Sequence, residues 1–450
     1  MELQKTPWRR AGITVLLALA LPAQFARAQE ASWNQSTDAG MKAYREGRYA
    51  EAEQYFEAAL QLAERSAPEG QTLATALNNL AELYNAQGRY QQAEALFRRS
   101  LALRERILGP DHPDVGATLN NLAGVYRAQG EYAQAETLYR RSMTLLERSL
   151  GPDHPGVAAS LTNLGLVYRE QARYAEAESL YQRALAIFRK SREPDNPDVA
   201  LSLHNLAELF RAQGKYARAE PLYKQSLSTF EKALGPEHPN VALNLNNLAE
   251  LFKAQKRFTE AEPLYLRSLE ILKKVYGPEH PSVALNLNSL ATLYHALGMY
   301  TTAESLYERA ISIWEKALGP DHPSVATGLS NLAALYRRLG KYAEAEPLYM
   351  RALKIHEKAL GPDHPDVAMD LNNIALLYAT EGKYAEAEPF YQRSLSIQER
   401  ALGPNHPVLA TTLENYAYLL RKTKRKAEAK RITARVKAIR ARHRKLNPGS

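Results

Sequence analysis

The chain has 450 residues, 45% hydrophobic and 24% charged, with a formal net charge of +9 and no cysteine. That balance describes an ordinary foldable polypeptide and excludes collagen-like, low-complexity and disordered classes. Without cysteine there are no disulfides, thiolate metal ligands or thiol nucleophiles.

Residues 1–28 read as a secretory signal peptide. Lys5, Arg9 and Arg10 precede the apolar run "AGITVLLALALPA", and Ala26-Arg27-Ala28 has the small-x-small pattern of a cleavage site. The run is shorter than the ~20 apolar residues of a membrane span. The expectation is an exported chain, periplasmic or secreted, starting near Gln29. Charge is unevenly placed: from Arg421 onward thirteen Lys and Arg face Glu428 alone. The long body before them is net acidic, and basic character belongs to the C-terminal helix.

Residues 29–71 predict an N-terminal helix pair, and residues 72–407 carry eight copies of a 42-residue repeat. "GPDHP" or a near variant begins at Gly109, Gly151, Gly235, Gly277, Gly319, Gly361 and Gly403, with "EPDNP" at Glu193. An aromatic-x-x-Ala-Glu marker recurs in the same step from Tyr90 to Tyr384, with an earlier copy at Tyr49. A period of this size marks a solenoid of stacked units. In the unit at Gly109, Pro113 suits a first helical position. Val115, Leu119, Leu122, Ala123 and Tyr126 then form one apolar stripe, and Gly130 ends the helix. A second helix from Tyr132 buries Ala135, Leu138, Tyr139, Met143 and Leu146, and Gly151 closes it. Pro221, Pro263, Pro347 and Pro389 fall near the starts of second helices, where orphan N–H groups make proline tolerable. One copy is irregular. Glu193 and Asn196 replace connector Gly and His, and Ala172 stands where most copies have Gly, which predicts a looser or bent array there.

The order Leu119-x-x-Leu122-Ala123-x-x-Tyr126, Gly130-x-Tyr132-x-x-Ala135, Tyr139 resembles the tetratricopeptide repeat signature, lengthened as in kinesin light chains ("HPDVA…LNNLA", "KYAEAE"). The resemblance spans residues 36–440, about ten helix pairs. It implies an all-α, right-handed α-α superhelix whose concave groove, lined by first helices, holds extended peptide. The heptad coiled coil of kinesin light chains has no counterpart here, so nothing of motor transport carries over.

The recurring Asp-His of the connector invites a catalytic or metal reading. Ligands must meet one zinc at about 2.0–2.1 Å, whereas packed helices lie 8–10 Å apart, so histidines of successive copies cannot share an ion. Each connector alone offers too few ligands, and no hydrolase, zincin or phosphate-loop motif occurs. The expectation is a turn whose Asp and His satisfy backbone groups, with no cofactor, no metal and no catalytic residue.

The first helix carries paired asparagines opposite its apolar stripe. The second of each pair recurs at Asn79, Asn121, Asn163, Asn205, Asn247, Asn331, Asn373 and Asn415, with Ser289 the exception. An amide side chain both donates and accepts, so such a column could hold an extended backbone, or could tie neighbouring helices together. The resemblance implies the groove. A cationic column (Arg127, Arg169, Arg211, Lys253, Arg337) and an apolar one (Leu201, Leu243, Leu285) share that face. They suit an acidic peptide with apolar anchors, although Glu82, Glu208 and Glu250 stand near enough to pair with the cations.

Residues 408–450 read as a degenerate last repeat and a basic C-terminal capping helix, with Ile432, Val436 and Ile439 on its inner stripe. That helix could make weak contact with an anionic membrane. It carries no aromatic residue to stack a base, so nucleic acid is not expected. The function expected is a non-enzymatic scaffold binding a protein or peptide partner. The alternative is a structural solenoid that self-associates in the cell envelope.

Overall fold

The computed structural model describes residues 31–191 and 195–446; the expected signal peptide and Glu193 lie outside them. The described residues form ten helix pairs. Residues 31–45 (α1) pair with Tyr49–Ser66 (α2), Gln71–Ala86 (α3) with Tyr90–Leu108 (α4), and Pro113–Ala128 (α5) with Tyr132–Leu150 (α6). Pro155–Glu170 (α7) and Tyr174–Ser191 (α8), Pro197–Ala212 (α9) and Tyr216–Leu234 (α10), Pro239–Ala254 (α11) and Phe258–Tyr276 (α12) follow. Then come Pro281–Ala296 (α13) and Tyr300–Leu318 (α14), Pro323–Arg338 (α15) and Tyr342–Leu360 (α16), Pro365–Glu381 (α17) and Tyr384–Leu402 (α18), and Leu409–Lys422 (α19) with Lys426–Leu446 (α20).

Each pair buries the stripe that its periodicity predicts. Val115, Leu119 and Ala123 of α5 and Ala135 of α6 have no exposed surface. One ring per second helix (Tyr181, Tyr223, Tyr265, Tyr307, Tyr349, Tyr391) is almost wholly buried. Serines lock the pairs: Ser100, Ser142, Ser226, Ser268 and Ser394 each donate to a carbonyl of the preceding first helix at 2.6–2.7 Å. The recurring marker glutamate also has a structural partner. Glu94, Glu136, Glu262, Glu304 and Glu346 accept from the tyrosine hydroxyl of the next first helix at 2.7–2.9 Å. Where that tyrosine is Phe210 or Phe252, the marker glutamates Glu178 and Glu220 bond Arg218 and Arg257 instead.

Two details differ from expectation. Pro221, Pro263, Pro347 and Pro389 lie inside their helices, one turn past the orphan N–H groups, so each removes a helical hydrogen bond and is borne by packing. At the irregular copy the helix end keeps the geometry that a glycine gives elsewhere: Ala172 adopts the left-handed conformation of the glycines (φ 56), and its N–H reaches the Arg169 carbonyl at 3.0 Å. Such a conformation is strained for a residue with a Cβ. Lys256 (φ 61) pays the same penalty on an exposed loop. Lys256→Gly is therefore expected to stabilise the protein by about 1 kcal/mol, read as a higher urea midpoint. An unchanged or lower midpoint counts against that strain.

Candidate functional site: the concave face

Among the described residues successive first helices pack on one another (α5 on α7, α7 on α9, α11 on α13, α15 on α17) more closely than any two second helices do. First helices therefore lie on the inside of the curve, and their solvent-facing residues line a groove.

The groove has three strips. Near the N-terminal ends of the first helices, Leu201, Leu243, Leu285 and Met369 are 44%, 43%, 50% and 53% exposed. Leu243 and Leu285 border a cleft of about 190 Å³ with Leu272, Tyr276, Asn246 and Asn286. Asn286 is itself buried, and its Oδ1 accepts no hydrogen bond among the described residues.

The asparagine strip follows, and half of it is tied up between helices. Asn121 donates to Asn78 at 3.2 Å and to Glu82 at 2.8 Å, Asn331 to Asn288 at 3.0 Å, and Asn415 to Asn372 at 3.1 Å. Asn247 bonds His204 Nε2 at 3.0 Å. Apart from the Glu82 bond of Asn121, the partner is the first polar residue of the preceding pair, one repeat and one residue earlier. These asparagines brace the stack and leave mainly their oxygens for the groove. Asn79, Asn163, Asn205 and Asn373 make no such bond among the described residues, so donor and acceptor both remain. The bracing partners Asn78, Asn288, Asn372 and His204 each stand one residue before the ladder position of their own repeat, and the constant offset of 43 was the signal for their role.

Towards the helix C-termini the cations do not stand free. Arg127 pairs with Glu170 at 2.6 Å, Arg169 approaches Glu208 at 3.7 Å, Arg211 meets Glu208 at 2.8 Å, and Lys253 meets Glu250 at 2.8 Å. Burial would push the Glu208 carboxyl up, but Arg211 and neighbouring charges bring it down to about 2. Burial also takes the His204 imidazole down to about 4, which keeps it neutral in the ladder. Of the acids expected to pair with the column, Glu208 and Glu250 do so, whereas Glu82 accepts from Asn78 and Asn121 and Arg127 is met by Glu170 instead. Arg337 alone of the five has no carboxylate partner among the described residues; it lies against the Tyr349 hydroxyl.

The connector histidines are helix caps. Nδ1 of His112, His154, His238, His280, His322, His364 and His406 accepts from the backbone N–H two residues on at 3.0–3.3 Å, and Asn196 does the same at 2.8 Å. Among the described residues the connector acids bond no backbone group, and those from Asp153 to Asp363 pair instead with cations 37 residues on, as Asp363 does with Arg400 at 2.7 Å.

The tetratricopeptide repeat family model matches in overlapping stretches from residues 37–106 to residues 371–441. No curated protein matches the chain. Among solved structures, BtubC (BKLC) from P. vanneervenii is 26% identical over 52% of this chain and 92% of its own, with a TM-score of 0.41. A Podosopora anserina putative kinesin light chain with nearly identical TPR-like repeats is 30% identical over 46% and 97%, with a TM-score of 0.38. A Rap protein complexed with competence and sporulation factor is 14% identical over 83% and 99%, with a TM-score of 0.55, a likeness of fold alone.

Proposed function

The chain belongs to the tetratricopeptide repeat family, and from that premise we propose that it is an exported, non-catalytic scaffold holding an extended segment of a protein partner along its concave face. Solenoids of this kind commonly mediate protein–protein interaction. The observation that carries the reading is the row of half-exposed Leu201, Leu243 and Leu285 on the inner face, beside amides that keep hydrogen-bonding capacity. Large aliphatic side chains aligned in a concavity next to unsatisfied polar groups are what a peptide site requires. The cleft between α11 and α13 takes an apolar side chain, and Asn79, Asn163, Asn205 and Asn373 hold backbone. Preference for acid is local, at Arg337, since the other cations already have carboxylates.

The test is a selection of displayed random peptides on residues 29–450, followed by fluorescence anisotropy. Leu243→Asp and Leu285→Asp, both at exposed positions, are expected to weaken the selected peptides at least about tenfold, one buried apolar anchor's worth, with helicity unchanged. Equal binding by the variants would remove the groove as the site. The asparagines that brace the stack are poor probes, because their removal perturbs fold and groove together.

The outer face of α20 exposes Lys430, Arg431 and Lys437, and weak contact with anionic lipid is proposed for it. Sedimentation with anionic but not neutral vesicles at low salt is expected, and Lys430→Glu with Lys437→Glu should abolish it; equal sedimentation with both vesicle types would refute it.

A further inference from the structure

The superhelix completes a turn and then meets itself. His322, which opens α15, bonds the Ala86 carbonyl at the end of α3 through Nε2 at 3.2 Å, 236 residues away in the chain. The contact recurs along both edges. A Cβ added to Gly47 would lie 2.6 Å from His280, one on Gly88 2.8 Å from Pro323, and one on Gly130 2.9 Å from His364. The equivalent loop glycines Gly214, Gly298 and Gly340 have nothing within 4 Å among the described residues. Carbonyls of Ala128 and Glu170 face His364 and His406, the latter without closing a bond. At the end of the seam His443 of α20 stands edge-on to Tyr174 at 5.8 Å.

Each seam histidine caps its helix through Nδ1, and His322 also bonds the earlier turn through Nε2. Nδ1 accepts from the backbone and caps its helix, so the neutral ring carries its proton on Nε2, where it faces the preceding turn. Protonation adds a hydrogen to Nδ1, which ends the cap, and puts a cation into a buried interface.

We propose that these connector histidines form a closure between the two superhelical turns that holds while they are neutral and opens on acidification, changing access to the concave face. Open, an imidazole titrates near 6.5. Closed, burial takes His322 and His406 down to about 4 and lowers His280 and His364. A group whose value is lowered on closure stabilises the closed form above its open value and loses that stabilisation as pH falls, so the window lies between about 6.5 and 4.

The groups around them are accounted for. Tyr276 stacks on His280 at 4.3 Å, with Tyr49 of α2 beyond it. His356 of α16 faces both His322 and His364 and disfavours their charge. Asp366 is the group that opposes opening at His364, and Tyr90 and Tyr132 of the earlier turn lie towards it. His443, with Lys215 near it, faces His406. Arg89, Asp321 and Lys358 line the solvent side of the seam at His322.

The chain is free of cysteine, so spin labels at Gln91→Cys and Lys358→Cys, exposed residues on opposite sides of the seam, report it directly by double electron–electron resonance. The expected result is a short distance at pH 7.5 that lengthens by about 10 Å or more, a helix-packing distance, between pH 6.5 and 4.5 with helicity retained. Asparagine already caps at Asn196 but is too short to reach across. The set His322→Asn, His364→Asn and His406→Asn should therefore keep its helices and be open at pH 7.5. The matched set His112→Asn, His154→Asn and His238→Asn, which meets no earlier turn among the described residues, should stay closed. A distance unchanged down to pH 4.5, opening only with loss of helicity, or equal behaviour of the two sets would overturn the proposal.

Discussion

His356→Ala is expected to lower stability by about 3–5 kcal/mol, read by urea denaturation. His356 and Asp370 are 4% and 2% exposed and their side chains meet at 2.6 Å. The other ring nitrogen lies 3.2 Å from the Pro323 carbonyl, and Ser330 donates to the second carboxylate oxygen at 2.8 Å. A ring placed between a carboxylate and a carbonyl donates at both nitrogens, which makes it an imidazolium. Burial opposes that charge, but Asp370 outweighs it and the imidazole is held above its ordinary value. Removing the ring leaves a buried carboxylate without its counter-ion, the expensive way to break such a pair.

Two controls separate the charge from the space. The preceding repeat fills the same position with Trp314, whose Nε1 bonds the Pro281 carbonyl at 3.2 Å, opposite Gly328. His356→Trp with Asp370→Gly should therefore recover most of the loss, to within about 1–2 kcal/mol after the helical glycine. The pair also has a pH signature. A histidine with a raised folded value contributes fully below its unfolded value near 6.5 and loses that contribution as pH rises through the folded value. The destabilisation by His356→Ala should thus be largest in mild acid and shrink in alkali. A pH-independent effect would mean that only volume was lost.

The parts of the fold legible in the sequence are those encoded within one repeat. Pro113 at a helix start, Gly130 in the left-handed loop (φ 74) and the stripe through Leu119 and Tyr126 need only local chemistry. The asparagine bracing was half legible: the columns were visible, but the offset that joins Asn331 to Asn288 crosses repeats and was readable only by comparing the two columns with each other. The seam was not legible. His322 and His112 stand in the same motif, and what distinguishes them is how many repeats complete a superhelical turn, which no single repeat encodes. The His356–Asp370 pair was hidden for another reason, because the corresponding pairs Trp314–Gly328 and Leu272–Asn286 share neither charge nor size. In the groove, the leucine row stood out because aliphatic side chains opposite a core stripe are unusual. The cations misled because their acids lie one turn away in the same helix or on the next.

Tyr265→Ala is expected to cost about 3–5 kcal/mol, the range for emptying a closed aromatic site, and to disturb the groove as well. The ring has no exposed surface, and its hydroxyl donates at 2.5 Å to Glu250, the same oxygen that Lys253 holds at 2.8 Å. Burial and that carboxylate push the phenol well above its ordinary range, so it stays a donor at any working pH. The core tyrosine thus positions the charged rim of the groove from beneath. In a stack whose units contact mainly their neighbours, loss should show first as lowered protection of α11 and α12 amides in hydrogen exchange, before the distant pairs respond. Tyr265→Phe separates the two roles. It keeps the packing and should cost only about 1 kcal/mol, the net worth of one hydrogen bond. Glu250 then has Lys253 as its remaining partner, and the rim becomes freer to rearrange. Peptides that engage Leu243 and Leu285 should bind the Phe variant nearly as well as the parent, whereas peptides whose contacts extend to Lys253 should change affinity. If the Phe variant lost as much stability as the Ala variant, the hydroxyl rather than the ring would be the structural element, and the tyrosine column would have to be counted as a polar ladder.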